Sequence, residues 1–448
     1  MTAIPSCSRP ETLVLPRGCR TIPGSICAPL GFRAGATFCD IKKLGTGKGS
    51  DKGRKDDLAI IVSDVPAACA GMFTRNGARA APVEVCAARL AHHSSARAIV
   101  VNSGNANACT GGEGLRDAER MGALTARALR LHKRDVLVCS TGRIGLPLPM
   151  RNIERGIRQA AAKIDHSSSS ASAVADAIMT SDTRRKEIAV EISVNKTPVR
   201  IGGIAKGAGM IAPQMAAPHA TMLAFITSDA AIPAPFLQRA LAGAVEQSFN
   251  RISIDGDMST NDTVLALANG LAGNSPIVSA NCRAFHEFSA ALNYVTLELA
   301  KMIVRDGEGA SRFITLRITG ARSEADAGMA ARAIANSALV KTSWHGGDPN
   351  WGRILCAIGY SGVGIDQGDV EIAYALPKSN QVAFAFRRGM PVRVAFAKLT
   401  AITSQPEFDV RIKLGRGKYG TTFYTCELTE DYVAFNKGDI NDPDSLGG

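Results

Sequence analysis

The chain has 448 residues, of which 46% are hydrophobic and 21% are charged, a composition that indicates a globular protein with one large core or two smaller ones. No uninterrupted apolar run reaches the roughly 18 residues of a membrane-spanning helix, so that class is disfavoured. The formal net charge is +12, but acidic residues are mixed into the densest basic stretch, residues 42–57. That mixture is typical of a solvated loop and argues against a nucleic-acid-binding protein, although positive charge also suits the steering of an anionic cofactor.

The eleven cysteines form no C-x-x-C pair and their number is odd. This argues against a disulfide framework or a zinc site and indicates free thiols in a reducing compartment. The first thirty residues lack the apolar segment of a secretory signal. We expect residues 1–30 to be a disordered extension of a cytoplasmic protein; the alternative is a transit peptide to the mitochondrial matrix.

In chain order, short β-prone apolar runs alternate with segments of helical periodicity. The predicted strands are residues 58–62, 98–101, 136–139, 188–194, 199–204, 221–227, 314–318 and 419–428, and the predicted helices are residues 115–131, 151–164, 171–179, 233–248, 285–304 and 323–334. The third strand leads into Thr141-Gly142-Arg143. A turn of this kind presents backbone N–H groups to an anion or oxyanion, although an ordinary turn has the same pattern. The alternation predicts an α/β or α+β fold.

The stretch from Lys206 to Asp229 has two contrasting halves that meet at Ala220-Thr221. Glycines and prolines predict an irregular loop beginning at Lys206, and the second half predicts a buried strand. A threonine hydroxyl is a poor nucleophile without an adjacent base, and an N-terminal threonine carries one in its own α-amine. Threonine chemistry here therefore requires a cut between Ala220 and Thr221, which the residues alone do not show.

Other kinds of site are disfavoured by their spacing. The acidic residues from Asp255 to Asp262 lack the spacing and the terminal glutamate of a calcium loop, which favours a hydrogen-bonded turn. No H-x-x-x-H pair and no G-x-S-x-G elbow occur, so a zinc hydrolase and an α/β-hydrolase are disfavoured. His219 lies near Thr221 in sequence, but we interpret it as a loop residue because a base must reach its nucleophile in space.

The two segments KGAGMIAP, residues 206–213, and ATMLAFITSDA, residues 220–230, resemble the self-cleaving ornithine acetyltransferases, also called glutamate N-acetyltransferases. The resemblance covers nearly all of the chain after the extension. Further matching motifs occur in the family's order: GFRA at 31–34, NSGNANACTG at 102–111, STG at 140–142, IMTSDT at 178–183, SFNRISIDGD at 248–257, STNDT at 259–263, RDGEGA at 305–310 and DPNWGRIL at 348–355.

The resemblance implies an acyltransferase of arginine biosynthesis that cuts itself at Ala220-Thr221. The α chain would comprise residues 31–220 and the β chain residues 221–448, with two copies of each in a heterotetramer. Thr221 would take acetyl from N-acetylornithine and pass it to glutamate in a ping-pong cycle. The implied fold has sandwiched sheets and helices and is N-terminal-nucleophile-like with its own topology. No cofactor, metal, nucleic acid or membrane is implied, and a role for acetyl-CoA as co-substrate stays open.

The same resemblance assigns roles to individual residues. Thr141 and Gly142 match the pair that forms the oxyanion hole of the family. Glu308 suits a substrate ammonium and Lys206 a substrate carboxylate. The full set of matched substrate-binding positions is Thr180, Lys206, Thr221, Glu308, Asn436 and Asn441.

The chain departs from the family pattern in three places. The segment 214–220 before Thr221 is longer, Asn441 stands where a serine or threonine is usual, and Arg143 replaces a small aliphatic residue. Arg143 either contacts an anion or points to solvent. Two alternatives to the acetyltransferase follow: an N-terminal-threonine amidohydrolase or aminopeptidase that passes the acyl group to water, and an uncleaved non-catalytic homologue.

Overall fold

The computed structural model describes residues 15–42, 55–214, 222–393, 396–415 and 417–437. These residues form two compact units. The larger unit contains residues 15–250, 257–303 and 437, and the smaller unit contains residues 251–256 and 304–436. Each unit combines a sheet with helices, which confirms the predicted α/β or α+β class.

The strands and helices alternate along the chain much as the sequence predicts. The strands are β1 Cys19–Thr21, β2 Phe32–Thr37, β3 Leu58–Phe73, β4 Ser95–Asn105, β5 Val136–Arg143, β6 Lys186–Val194, β7 Thr197–Lys206, β8 Leu223–Ser228, β9 Ile252–Ser253, β10 Thr263–Ala268, β11 Phe313–Ala321, β12 Glu371–Ala375, β13 Ala383–Arg387, β14 Met390–Pro391, β15 Glu407–Lys413 and β16 Tyr419–Cys426. The helices are α1 Ala81–His92, α2 Gly111–Leu129, α3 Met150–Ala162, α4 Ser168–Ala177, α5 Ala234–Gln247, α6 Arg283–Arg305, α7 Glu324–Ala335, α8 Ala338–His345, α9 Trp351–Gly359, α10 Phe396–Thr403 and α11 Glu430–Phe435.

The larger unit is built on a mixed sheet of nine strands within the described ranges. Its order is β1-β6-β7-β8-β10-β3-β4-β5, and β2 pairs with the first half of β3. The strand β8 is central, antiparallel to β7 on one side and parallel to β10 on the other. Every residue of β8 is buried, which fits its apolar sequence.

Residues 15–30 are more ordered than the sequence predicts. We expected a disordered extension up to residue 30, but β1 pairs antiparallel with β6, with Cys19 opposite Ile192. Ile26 in the following turn is fully buried. The prediction was wrong for this part because the segment has little periodicity of its own and gains its structure from pairing with a strand distant in sequence.

The hairpin of β6 and β7 explains how the chain reaches Lys206. Its two-residue turn is Asn195-Lys196, and both residues have positive φ, 49° and 69°. Positive φ at both positions is typical of the turns whose twist matches a β-hairpin, and asparagine tolerates it well. The register then runs from Val194 opposite Thr197 to Lys186 opposite Ala205. Lys206 is therefore the last residue of β7, not the first residue of a loop as predicted.

Hydrophobic cores of the two units are separate clusters of buried side chains. In the larger unit, Ile60, Ile99 and Val138 of neighbouring strands pack with Met121 of α2 and Ile157 of α3. In the smaller unit, the sheet has the order β14-β13-β12-β15-β11-β16-β9 and packs with α7, α8 and α9. The predicted cap of α7 is confirmed: the hydroxyl of Ser323 accepts a hydrogen bond from the Asp326 N–H at 3.0 Å.

Candidate active site

The end of β7 and the start of β8 form one row across the sheet of the larger unit. Leu223, the first residue of β8, lies opposite Lys206 on one side and Thr263 on the other. Met222 directly precedes β8, and its carbonyl accepts a hydrogen bond from the Thr263 N–H. Its φ is +134°, a value that residues other than glycine rarely adopt and that costs about 1–3 kcal/mol. A strained residue therefore lies immediately after the predicted nucleophile in the chain.

Lys206 links two of the predicted site residues. Its ammonium donates to Thr180 Oγ1 at 2.7 Å and to Thr141 Oγ1 at 3.2 Å. The lysine is 7% exposed and Thr141 is 8% exposed. The structure thus brings together Thr141, Thr180 and Lys206, three residues from three different strands and loops, as the resemblance implies.

Asp182 anchors this group, and the sequence did not identify it. One carboxylate oxygen accepts from Lys186 Nζ and from the Gly207 N–H, each at 2.6 Å. The other accepts from the Thr180 N–H at 3.0 Å and lies 4.0 Å from Lys206 Nζ. Burial alone would raise the pKa of Asp182, but the two ammonium groups and the Gly207 N–H outweigh it and hold that pKa well below its usual range. Asp182 is therefore an ionised anchor for Thr180 and Lys206.

The sequence predicts a turn at Thr141-Gly142-Arg143, but the structure has these residues at the end of β5. Gly142 packs there so closely that only glycine fits. Gly142 has φ +132° and lies opposite Gly104 of β4. A Cβ atom at Gly142 would come within 2.3 Å of the Gly104 carbonyl carbon and 2.5 Å of the Asn105 nitrogen. Ser140 supports the same end of β5 by donating to Asn102 Oδ1 at 2.6 Å. The last residues of β4 thus support the end of β5 that carries the predicted oxyanion hole.

Asn261 is a second functional candidate without an assignment from the sequence. Its side-chain amide donates to the carbonyls of Ser140, at 2.8 Å, and Ala106, at 2.6 Å. Ser140 directly precedes Thr141, so Asn261 fixes the strand that carries the predicted oxyanion hole. The motif STNDT was part of the resemblance, and that match was the only signal that its polar residues serve the site.

Arg143 does not simply extend into solvent. Its side chain is half-buried, and its Nη1 is buried with no hydrogen-bond partner among the described residues. An arginine whose N–H group is buried and unpaired is uncommon, because the desolvated donor loses its bonds to water. The position next to Gly142 makes this departure from the family pattern a feature of the site.

Glu308 and Asn436 belong to the smaller unit and are also in contact. Asn436 Nδ2 donates to Glu308 Oε2 at 2.9 Å. Asn436 follows the last residue of α11, and the N-cap of that helix, Thr429, donates its hydroxyl to the Gly309 carbonyl at 2.9 Å. The residues that cap the two ends of α11 therefore contact Glu308 and the adjacent Gly309. The predicted residues Ala220, Thr221 and Asn441 lie outside the described residues.

Several classes of site are absent from the described part of the chain. No group of three or more His, Cys, Asp or Glu side chains there could hold a metal ion. In the acidic segment that begins at Asp255, the Tyr432 hydroxyl donates a hydrogen bond to Asp255 Oδ2 at 3.4 Å. The ten cysteines within these ranges are free thiols. None of the described helices is long and apolar enough to span a membrane.

Known proteins resemble this chain over most of its length. A relative from Symbiobacterium thermophilum, an arginine biosynthesis bifunctional protein ArgJ, is 44% identical over 93% of this chain and 98% of its own. A glutamate N-acetyltransferase from Methanocaldococcus jannaschii is 43% identical over 93% of this chain and 98% of its own. A solved ornithine acetyltransferase from Mycobacterium tuberculosis, in complex with ornithine, is 36% identical with a TM-score of 0.40, covering 44% of this chain and 100% of that one.

The family model for the ArgJ family matches residues 41–438. That range contains every motif of the resemblance except GFRA, together with the contacts of Lys206, Asp182 and Asn261 described above. The chain belongs to the ArgJ family.

Proposed function

We propose that this chain is an acetyltransferase of arginine biosynthesis that carries acetyl from N-acetylornithine to glutamate through Thr221. The observation that carries the proposal is the pair of hydrogen bonds from Lys206 to Thr141 and Thr180. Those bonds lie where β8 begins, because Leu223, the first residue of β8, pairs with Lys206. Because Thr221 precedes Leu223 by two residues, the strand pairing supports a site assembled around the new N-terminus.

The chemistry of the proposal is acyl transfer by an N-terminal threonine. The α-amine of Thr221 takes the hydroxyl proton, and Oγ attacks the acetyl carbonyl to give an acetyl-enzyme and release ornithine. Backbone N–H groups at Thr141 and Gly142 stabilise the oxyanion, a contribution whose loss costs about 100- to 1,000-fold in comparable sites. Glutamate then accepts the acetyl group through its α-amine. Lys206 holds the substrate carboxylate and Glu308 the side-chain ammonium of ornithine.

Several features extend the proposal. The active protein contains α and β chains produced by cleavage at Ala220-Thr221, two of each, and works in the cytoplasm without a cofactor. Acetyl-CoA is a second acetyl donor to be tested. The family membership and the names of the relatives support the acetyltransferase activity on which these features depend.

The first experiment asks whether the chain cuts itself. Purified protein is examined by intact mass and N-terminal sequencing, and we expect a β chain that starts at Thr221. The variant Thr221→Ala is expected to stay as a full-length precursor because it lacks the attacking hydroxyl. A wild-type protein that remains one chain would refute the mechanism, and normal cutting of Thr221→Ala would place the junction elsewhere.

A second experiment identifies the acyl acceptor and the role of Glu308. Acetyl transfer to glutamate is compared with acetate release into water, and release without transfer would favour an amidohydrolase. In Glu308→Gln the bond from Asn436 can persist, but the carboxylate charge is lost. We expect the KM for N-acetylornithine to rise about 10-fold or more, since a hydrogen bond to a charged group contributes about 1.5–3 kcal/mol. The KM for glutamate, which has no side-chain ammonium, should change less.

A further inference from the structure

The carboxyl group of Asp262 is buried without a structural explanation. The residue is 1% exposed, and its Oδ2 has no hydrogen-bond partner in the described part of the chain. Buried polar atoms in folded proteins are nearly always paired, so an unpaired carboxyl oxygen indicates strain or function.

Other buried aspartates of the same unit show which hydrogen bonds a structural carboxylate accepts in this fold. Asp57 accepts backbone N–H bonds from Cys39 and Ile41, each at 2.7 Å. Asp229, which follows the far end of β8, accepts from the Leu30 N–H at 3.0 Å and the Arg200 N–H at 2.7 Å. Asp262 Oδ2 has no such partner, so its burial is not compensated in the way that theirs is.

Both chain neighbours of Asp262 contact the site. Asn261 holds Ser140, next to the predicted oxyanion hole, and the Thr263 N–H binds the Met222 carbonyl at the start of β8. The Asp262 carbonyl accepts from the Thr74 N–H at 3.2 Å, which fixes its backbone. Asp262 thus directly precedes the residue that contacts Met222, and Met222 directly follows Thr221 in the chain.

Burial raises the pKa of Asp262 well above its usual range, and the nearby charge of Lys206 opposes that rise only in part. Burial therefore favours the protonated carboxyl, which can donate a proton. A protonated acid suits a reaction in which an amide nitrogen must leave as an amine.

We propose that Asp262 donates the proton that the nitrogen of Thr221 needs when the Ala220–Thr221 peptide bond breaks. The inference rests on the self-cleavage proposed above. Asp262 would be the general acid of that reaction, while the proposed oxyanion hole at Thr141 and Gly142 remains available to the carbonyl oxygen.

The step balances with residues of the chain and water alone. A bond forms between Thr221 Oγ and the carbonyl carbon of Ala220, and the bond from that carbon to the Thr221 nitrogen breaks. The nitrogen takes the carboxyl proton of Asp262, and the hydroxyl proton of Thr221 restores the carboxyl. Water then hydrolyses the Ala220 ester, which leaves a carboxylate on Ala220 and frees the hydroxyl of Thr221.

The decisive variant is Asp262→Asn, because asparagine has the shape and the neutrality of the protonated acid but no acidic proton. We expect a folded protein whose precursor is cut at least about 100-fold more slowly than wild type, the usual effect of losing a general acid. The fraction of precursor is followed by intact mass after a pulse of cell-free synthesis, and folding is checked by thermal melting. The matched control is Asp229→Asn, a buried aspartate at the other end of β8, which is expected to be cut although it melts lower.

The outcomes separate the two proposals. Cutting of folded Asp262→Asn at the wild-type rate would overturn the role of Asp262 and leave self-cleavage standing. If Asp262→Asn folds poorly, a second pair of variants replaces it. Folded Asp262→Glu should be cut faster than folded Asp262→Ala, because only the glutamate keeps an acidic proton. Equal cleavage rates of these two variants would overturn the role of Asp262. A wild-type chain that stays uncut would overturn self-cleavage itself.

Discussion

At the scale of single residues, Lys206 performs two functions through one ammonium group. It orders the hydroxyls of Thr141 and Thr180, and in the proposed reaction it binds a substrate carboxylate. The carboxylate of Asp182, 4.0 Å from the ammonium, offsets part of the cost of burying a charge at this position. A charged, pre-positioned donor of this kind binds an anion without first losing conformational freedom.

Replacing Lys206 by methionine tests both functions. Methionine keeps the aliphatic stem but loses the charge-assisted bonds, each of which contributes about 1.5–3 kcal/mol. We expect kcat/KM for acetyl transfer to fall by roughly 10- to 100-fold or more, measured at several substrate concentrations. Lys163→Met is the matched control, since Lys163 makes a similar bond to Thr37 Oγ1 at 3.2 Å on the surface of the same unit. An equal loss in both variants would show that the effect is not specific to the site.

At the scale of elements, the end of β5 depends on the absence of two side chains. Gly142 and Gly104 lie opposite each other near the ends of β4 and β5, and both have positive φ. This close approach lets β4 and β5 stay paired through Thr141 to the end of β5. The glycines therefore determine the position of the predicted oxyanion hole.

Gly142→Ala is expected to disrupt this end of β5. Its Cβ would lie 2.3 Å from the Gly104 carbonyl carbon, so the backbone must move. Gly145→Ala is the control, because Gly145 also has positive φ, +87°, but nothing lies within 4 Å of its Cβ position. Strain alone costs about 1–2 kcal/mol in both. We therefore expect a clearly larger loss of melting temperature and of acetyl transfer in Gly142→Ala, and similar losses would mean that the clash is relieved locally.

At the scale of the whole molecule, the sequence predicted about half of the elements and part of the site. Local periodicity located eight of the sixteen strands and six of the eleven helices in the described ranges, and the motifs located Thr141, Thr180 and Lys206. The sequence did not identify Asp182 and Asn261, because their roles come from contacts between distant segments. Asn261 binds Ser140, 121 positions away in the chain, and Asp182 binds Gly207, 25 positions away. Periodicity reports on neighbours along the chain and contains no such pairing. The early strand β1 was not predicted for the same reason, since it pairs with β6, which is distant in sequence.

The response of the whole fold to acid follows from the charge of Asp182. Its pKa in the folded protein is held below the value of about 3.9 that an unfolded aspartate has. A depressed folded pKa means that the ionised carboxylate stabilises the protein fully above about pH 4 and that this contribution is lost as the pH falls further. We expect the wild type to melt well above Asp182→Asn at pH 7, because the variant leaves Lys186 and Lys206 without their buried carboxylate. The difference between the two melting temperatures should shrink below about pH 4, as calorimetry across pH 2–8 can measure. The other carboxylates titrate in both proteins, so a difference that stayed constant over that range would contradict the assigned role of Asp182.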